Sequence, residues 1–187
     1  MSDFETLNAA SSAGAGIGFG GGVGEGANAT GRYAVECYDA EGNLKWTDEI
    51  KNLVTTAGKN FALDTLFSGA TYTAAWYVGL MSSSSYTTGA AAGDTSASHG
   101  GWTEDQNYTQ TARPTASFAS ASGGSKALSS AAAFSMNAST TIKGCFMISN
   151  SSKGGTTGTL YSAGLFTGGD KVLQNGDTLN VSYTASL

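Results

Sequence analysis

Short runs that alternate apolar and polar side chains, cut by glycine turns about every 10 to 15 residues, constrain this chain more than any other feature of it. Beyond Pro114 the runs are Thr115 to Ala119, Ser130 to Met136, Thr141 to Ser149, Thr159 to Phe166 and Thr178 to Ala185. Between them stand Gly123-Gly124, Lys153-Gly154-Gly155, Gly168-Gly169-Asp170 and Asn175-Gly176-Asp177. Successive side chains of a strand point to opposite faces, so such runs each offer one apolar face to a core. Many short strands joined by tight turns predict a mainly β domain, a β-sandwich or a jelly-roll-like barrel.

The same period starts at Arg32. Tyr33, Val35 and Cys37 face one way, Ala34, Glu36 and Tyr38 the other, and Asp39 to Asn43 supplies turn chemistry before Leu44 to Ile50 returns, which predicts a β-hairpin. The one helix candidate follows near 52–67. Asn52 or Thr55 is its cap, Leu53, Val54, Ala57, Phe61, Ala62 and Leu66 recur at helical spacing, and Ser68 and Gly69 end it. Gly58 in its middle costs about 1 kcal/mol relative to alanine, so the helix is expected to pack its apolar face onto the sheet. Trp76 to Met81 reads as a strand buried on both faces. Residues 82–112 form a long Ser/Thr/Gly/Ala-rich connection, and a loop of that length in a compact domain usually carries function.

Residues 1–31 differ from the rest. Eight glycines between Gly14 and Gly26 alternate with Ala13, Ala15, Ile17, Phe19 and Val23. A phosphate-cradling loop needs a strand before it and a helix after it, and neither is evident, so this segment reads as an N-terminal arm that orders against a neighbouring subunit. Ile17 and Phe19 are its contact candidates. The organisation expected is thus an arm, 1–31, and a single β-rich domain, 32–187.

Composition narrows the function classes. Only 12% of residues are charged, the net charge is −5, and nine Lys and Arg are scattered singly. No basic stripe exists to neutralise phosphates, so nucleic acid is not expected as a partner. No apolar run approaches the ~20 residues that span a bilayer, and the N-terminus lacks a secretory pattern, so a cytosolic, membrane-free protein is expected. Several Asn-x-Ser/Thr sequons carry no meaning in that setting. Cys37 and Cys145 lack metal-ligand spacing and read as buried thiols, a bridge between them being the alternative if their strands are neighbours.

The most enzyme-like cluster is Asp94, His99, Trp102, Glu104 and Asp105, around the only histidine. A histidine flanked by glycines suits a base or a ligand. No nucleophile elbow accompanies it, one histidine makes none of the multi-histidine metal sites, and nothing pairs the carboxylates for glycoside cleavage. Neither enzyme nor cofactor is therefore expected. The structural reading is that His99 and Trp102 fix the long loop against the core or an adjacent subunit, with Tyr108 as a further interface candidate.

Six segments carry a resemblance: NLVTTAGKNFALDTLF (52–67), AWYVGL (75–80), GDTSASHGGWTE (93–104), NYTQTARP (107–114), TTGTLYSAGLF (156–166) and NGDTLNVSYTASL (175–187). Together they resemble a widespread family of tailed-bacteriophage virion proteins, over about residues 32–187, with SHGGWTE to ARP the most specific block. The resemblance implies a virion structural protein and brings no catalytic residues. The leading expectation is a capsid decoration, or cement, protein. It would be a homotrimer on the capsid surface, bridging major capsid protein subunits, with the arm extended over the shell. The alternatives are a tail or head-fibre component whose Tyr86, Trp102 and Tyr108 stack on receptor sugars, and a virion-bound hydrolase dependent on His99 or Glu104.

Overall fold

A computed structural model describes residues 28–71 and 75–187. It is mainly β, with two antiparallel sheets packed face to face and one helix. The hairpin is β1 (Thr30–Tyr38) and β2 (Leu44–Lys51), joined as its turn residues require. The Asp39 carboxylate accepts from the backbone N–H groups of Glu41 and Asn43, and Gly42 takes a positive φ of 85°. On its free side β1 pairs along its whole length with the last strand, β12 (Thr178–Ser186), from Thr30 opposite Ser186 to Tyr38 opposite Thr178. Two short strands, β7 (Ser125–Ala127) and β8 (Ala132–Ser135), flank the other edge of β12 and complete the first sheet.

The second sheet runs β3 (Leu53–Val54), β10 (Leu160–Leu165), β9 (Thr140–Ile148), β4 (Trp76–Ser82) and β5 (Glu104–Asp105). Two short strands join it, β6 (Thr115–Ala116) on β4 and β11 (Lys171–Leu173) on β9. Tyr33, Val35, Ile50, Phe134, Val181 and Tyr183 of the first sheet meet Val78, Leu80, Ile142, Cys145 and Met147 of the second in one core. Cys37 and Cys145 lie in this core on different sheets as free thiols. Ile142 and Cys145, three apart, both face it because the β4–β9 register slips, from Met81 opposite Gly144 to Ser82 opposite Ile142. One extra residue in β9 at that point reverses the parity of its side chains.

Asp48 of β2 joins the sheets at one edge. Its carboxylate accepts from the hydroxyl and backbone N–H of Thr167, from the N–H of Gly168 and from Lys171 Nζ at 2.8 Å. Burial alone would raise its pKa, but these donors outweigh burial and hold it at about 2.

The helix, α1 (Thr56–Phe67), is shorter than its apolar spacing predicts. Leu53 and Val54 pair with Ala163 and Ser162 as strand β3, and Thr55, not Asn52, is the cap, its hydroxyl accepting from the Gly58 N–H. It is also less buried than predicted. Gly58 is its only buried residue, set so close to the backbone of Tyr161 that an added Cβ would lie 2.4 Å from the Tyr161 carbonyl oxygen. Trp76 stands edge-on between Phe61 and Tyr161. The helix is thus pinned at its first turn, and the rest leans over the sheet without sinking into it.

The candidate arm residues Ile17 and Phe19 lie outside the described residues.

Candidate functional site

Residues 83–103 fold over the outer face of the second sheet. That face is apolar, because β4, β9 and β10 are buried on both sides. Met81, Phe146, Ile148, Leu160 and Ala163 point away from the sandwich core, and Trp102 joins them in a second, smaller core with Tyr77, Tyr86 and Ala90 around it. The loop closes by backbone bonds from Thr87 and Thr88 to the Gly101 carbonyl and from Ser82 to the Thr103 carbonyl. Gly101 sits at φ 105°, where a Cβ would collide with Thr88, so glycine is required there. The Ala92 carbonyl accepts from the first helical N–H of α1, Thr56, tying loop to helix.

Trp102 anchors the loop. Its ring is 3% exposed, packs on Phe146 at 5.3 Å between centroids, and is covered on another side by His99, stacked at 4.0 Å and 25°. The indole Nε1–H donates to Asp94 Oδ2 at 3.0 Å, and the same oxygen takes the Ala91 N–H. His99 Nδ1 lies 3.0 Å from the Trp102 carbonyl oxygen; a carbonyl only accepts, so this nitrogen carries the proton. The structure therefore joins Asp94, His99 and Trp102 by direct contacts that hold the loop, and His99, Trp102 and Glu104 line one cavity of about 210 Å³.

Glu104 belongs to a second arrangement, with Arg113. The guanidinium meets the carboxylate as a two-bond fork, Nε to Oε1 and Nη2 to Oε2, both 2.8 Å, with the side chains 2% and 6% exposed. Nη1 donates to the Asn150 carbonyl at 2.8 Å and Nη2 also to that of Gly155 at 3.2 Å. The Gly154 N–H donates to Glu104 Oε2. The pair therefore stitches β5 to the 150–155 turn, with four of the five guanidinium protons and three carboxylate acceptor sites used in doing so. Arg113 was not singled out in sequence; only its place in the ARP segment marked it. Asp105 faces elsewhere and holds Asn107 and Thr140. Among the described residues no three His, Cys, Asp or Glu side chains gather as a metal ion requires.

Tyr108, 1% exposed, lies edge-on to Phe134 at 5.0 Å with Lys153 Nζ 3.8 Å above its ring. Trp102 and Tyr108 are thus inside this chain and offer a neighbour, or a sugar, no ring face. Of the sequence-predicted contact residues that are described, His99 and Tyr86 are partly exposed.

The open apolar surface lies at α1, where Leu63, Leu66 and Phe67 are 54%, 72% and 77% exposed. Leu63 and Phe67 are four apart and share one flank. On the other flank, Phe61, Ala62, Thr65 and Leu66 overhang a groove of about 410 Å³ floored by Trp76, Tyr161, Tyr183 and Ala185. The signal was in the sequence: Leu63 and Phe67 fall off the apolar stripe that places the helix on the sheet, and a helix apolar on two sides needs two partners.

Compared with known proteins, the chain matches no family model and no curated sequence.

Proposed function

We propose that this chain is a phage virion structural protein, a capsid decoration protein that joins copies of itself and neighbouring major capsid subunits. One observation carries the assembly part of this reading: three large apolar side chains, Leu63, Leu66 and Phe67, stand in water at the end of one short helix. Contiguous exposed apolar groups beside a groove mark an interaction surface. The rest of the surface is weakly charged and built of short side chains that lose little rotamer entropy when a neighbour covers them. The one cluster of ionisable groups that suggested chemistry is spent on holding the 83–103 loop and the 150–155 turn. The virion part rests on the sequence resemblance. A subunit that bridges two capsomers adds free energy only when both are in register, which suits a shell under internal pressure.

The test is the purified particle. A quantitative gel should give copies on the order of hundreds per virion, and imaging should place them on the head. Leu63→Ser with Phe67→Ser should leave the fold intact and abolish incorporation. Copies in the tens, confined to the tail or collar, would replace this reading with the fibre reading.

A further inference from the structure

The groove under α1 is apolar, open and next to the place where the described chain begins. Thr30 is paired with Ser186 and Gly31 with Ala185, and Ala185 is itself a groove residue. Across β12 the same Ala185 faces Lys126, the groove's one charged lining residue. Gly31, Ala185 and Lys126 thus stand in one row across three strands, about 5 Å apart each. Asn28, the first described residue, is three residues from Gly31, whose partner Ala185 lines the groove.

The composition of that segment matches. Val23 precedes Thr30 by seven residues and Phe19 by eleven, spans of up to about 23 and 36 Å at ~3.3 Å per residue. Either reaches the groove with slack. Ile17, Phe19 and Val23 are separated by glycines, which add no bulk between anchors and let backbone approach aromatic side chains. Residues 1–31 hold Asp3, Glu5 and Glu25 and no Lys or Arg. Lys126 donates to the Ala119 carbonyl at 2.8 Å, and among the described residues no carboxylate pairs with it. Glu25 is six residues before Gly31, within about 20 Å of the row that ends at Lys126.

We infer that the groove between α1 and the sheet is the seat of the chain's own Ile17–Val23 segment, with Glu25 paired to Lys126. A second copy or the shell competes for the seat at a disadvantage, because the tether fixes the effective concentration of the segment near the millimolar range. The inference holds whether or not the protein belongs to a virion.

Disulfide trapping in the full-length chain tests it. Phe19→Cys with Leu66→Cys is compared with Phe19→Cys with Glu36→Cys, which lies on the outer face of the first sheet; the native thiols, both buried, stay out of reach. At micromolar protein under mild oxidant the groove pair should close within one chain at least tenfold faster than the control pair. Adding Lys126→Glu should slow that closure several-fold, and adding Glu25→Lys to it should restore the rate. Equal rates for the two pairs, crosslinks between chains instead of within them, or indifference to Lys126→Glu would each overturn the assignment. Virion copy number is read separately, so either proposal can fail alone.

Discussion

Replacing Glu104 by glutamine keeps the shape of the side chain and removes its charge, which makes it the sharpest probe of whether the Glu104–Arg113 pair is structural. Arg113 would then remain buried with its guanidinium against two backbone carbonyls and the Phe146 ring, 5.4 Å from its centroid, and no counter-charge. Breaking a buried pair from one side costs about 3–5 kcal/mol, because the surviving ion keeps its desolvation penalty. For a chain of this length each kcal/mol moves Tm by about 2–4 °C, so Glu104→Gln should lower Tm by roughly 10 °C. Glu104→Leu with Arg113→Met removes both ions and leaves only the Asn150 and Gly155 carbonyls and the Gly154 N–H short of partners, at about 1 kcal/mol each. The double variant should therefore lose no more than the single one, a coupling that urea denaturation followed by circular dichroism measures directly. A Glu104→Gln variant as stable as the parent, or more so, would refute this reasoning. A carboxylate whose removal stabilises the fold is kept for chemistry, and the search for a reaction would reopen at this site.

Gly58→Ala should destabilise by about 1–3 kcal/mol although alanine is the better helix former, since its Cβ would meet the Tyr161 carbonyl at 2.4 Å; a rise in Tm would contradict the close approach. Phe146→Ala should cost about 3–5 kcal/mol and expose the 83–103 loop to protease, because Trp102 loses its platform; a melting shift without new cleavage would mean that the loop holds by its backbone bonds alone. Asp48, held at about 2 when folded, contributes stability that is complete above its unfolded value near 4 and lost as pH falls from about 4 to about 2. That loss, roughly 2 kcal/mol, should be absent from acid titrations of Asp48→Asn. Burial and the nearby Asp177 carboxylate push the Cys37 thiol up to about 12, and burial raises Cys145 as well, so neither should react with a thiol reagent at neutral pH until the chain is denatured.

Strand and turn positions were legible where local chemistry alone decides them. The Asp39–Asn43 turn contains its own acceptor, and the alternation in β1 and β12 is long enough to be read by eye. The long loop was legible as a loop, and its Trp102 and His99 as the residues that fix it. What they fix it to was not. Phe146 is 44 positions from Trp102 in sequence, and its outward orientation follows from the parity of β9, which the register slip at Gly144 resets. β5, β7 and β11 are two or three residues long and show no period at all. Leu53 and Val54, apolar residues at adjacent positions, fit a helical stripe and a strand equally; the Thr55 cap, with extended φ and ψ, decides between them.

The distribution of covered and uncovered faces follows from the same pairing. A two-sheet sandwich has two outer faces, and here each is dealt with differently. The outer face of the first sheet is polar by composition: Ala34 and Glu36 on β1 stand beside Asn180 and Ser182 on β12, with only an exposed Arg32–Glu49 pair at 3.2 Å, worth less than about 1 kcal/mol. The outer face of the second sheet is apolar, and the 83–103 loop seals it with Trp102. Among the described residues the backbone hydrogen bond from that loop to α1 is the one from Thr56 to Ala92, at the helix start, and the last two turns keep their apolar side chains exposed. Leu63, Leu66 and Phe67 are those side chains. Extending the seal by two turns would cover these three side chains, which the described residues leave in water.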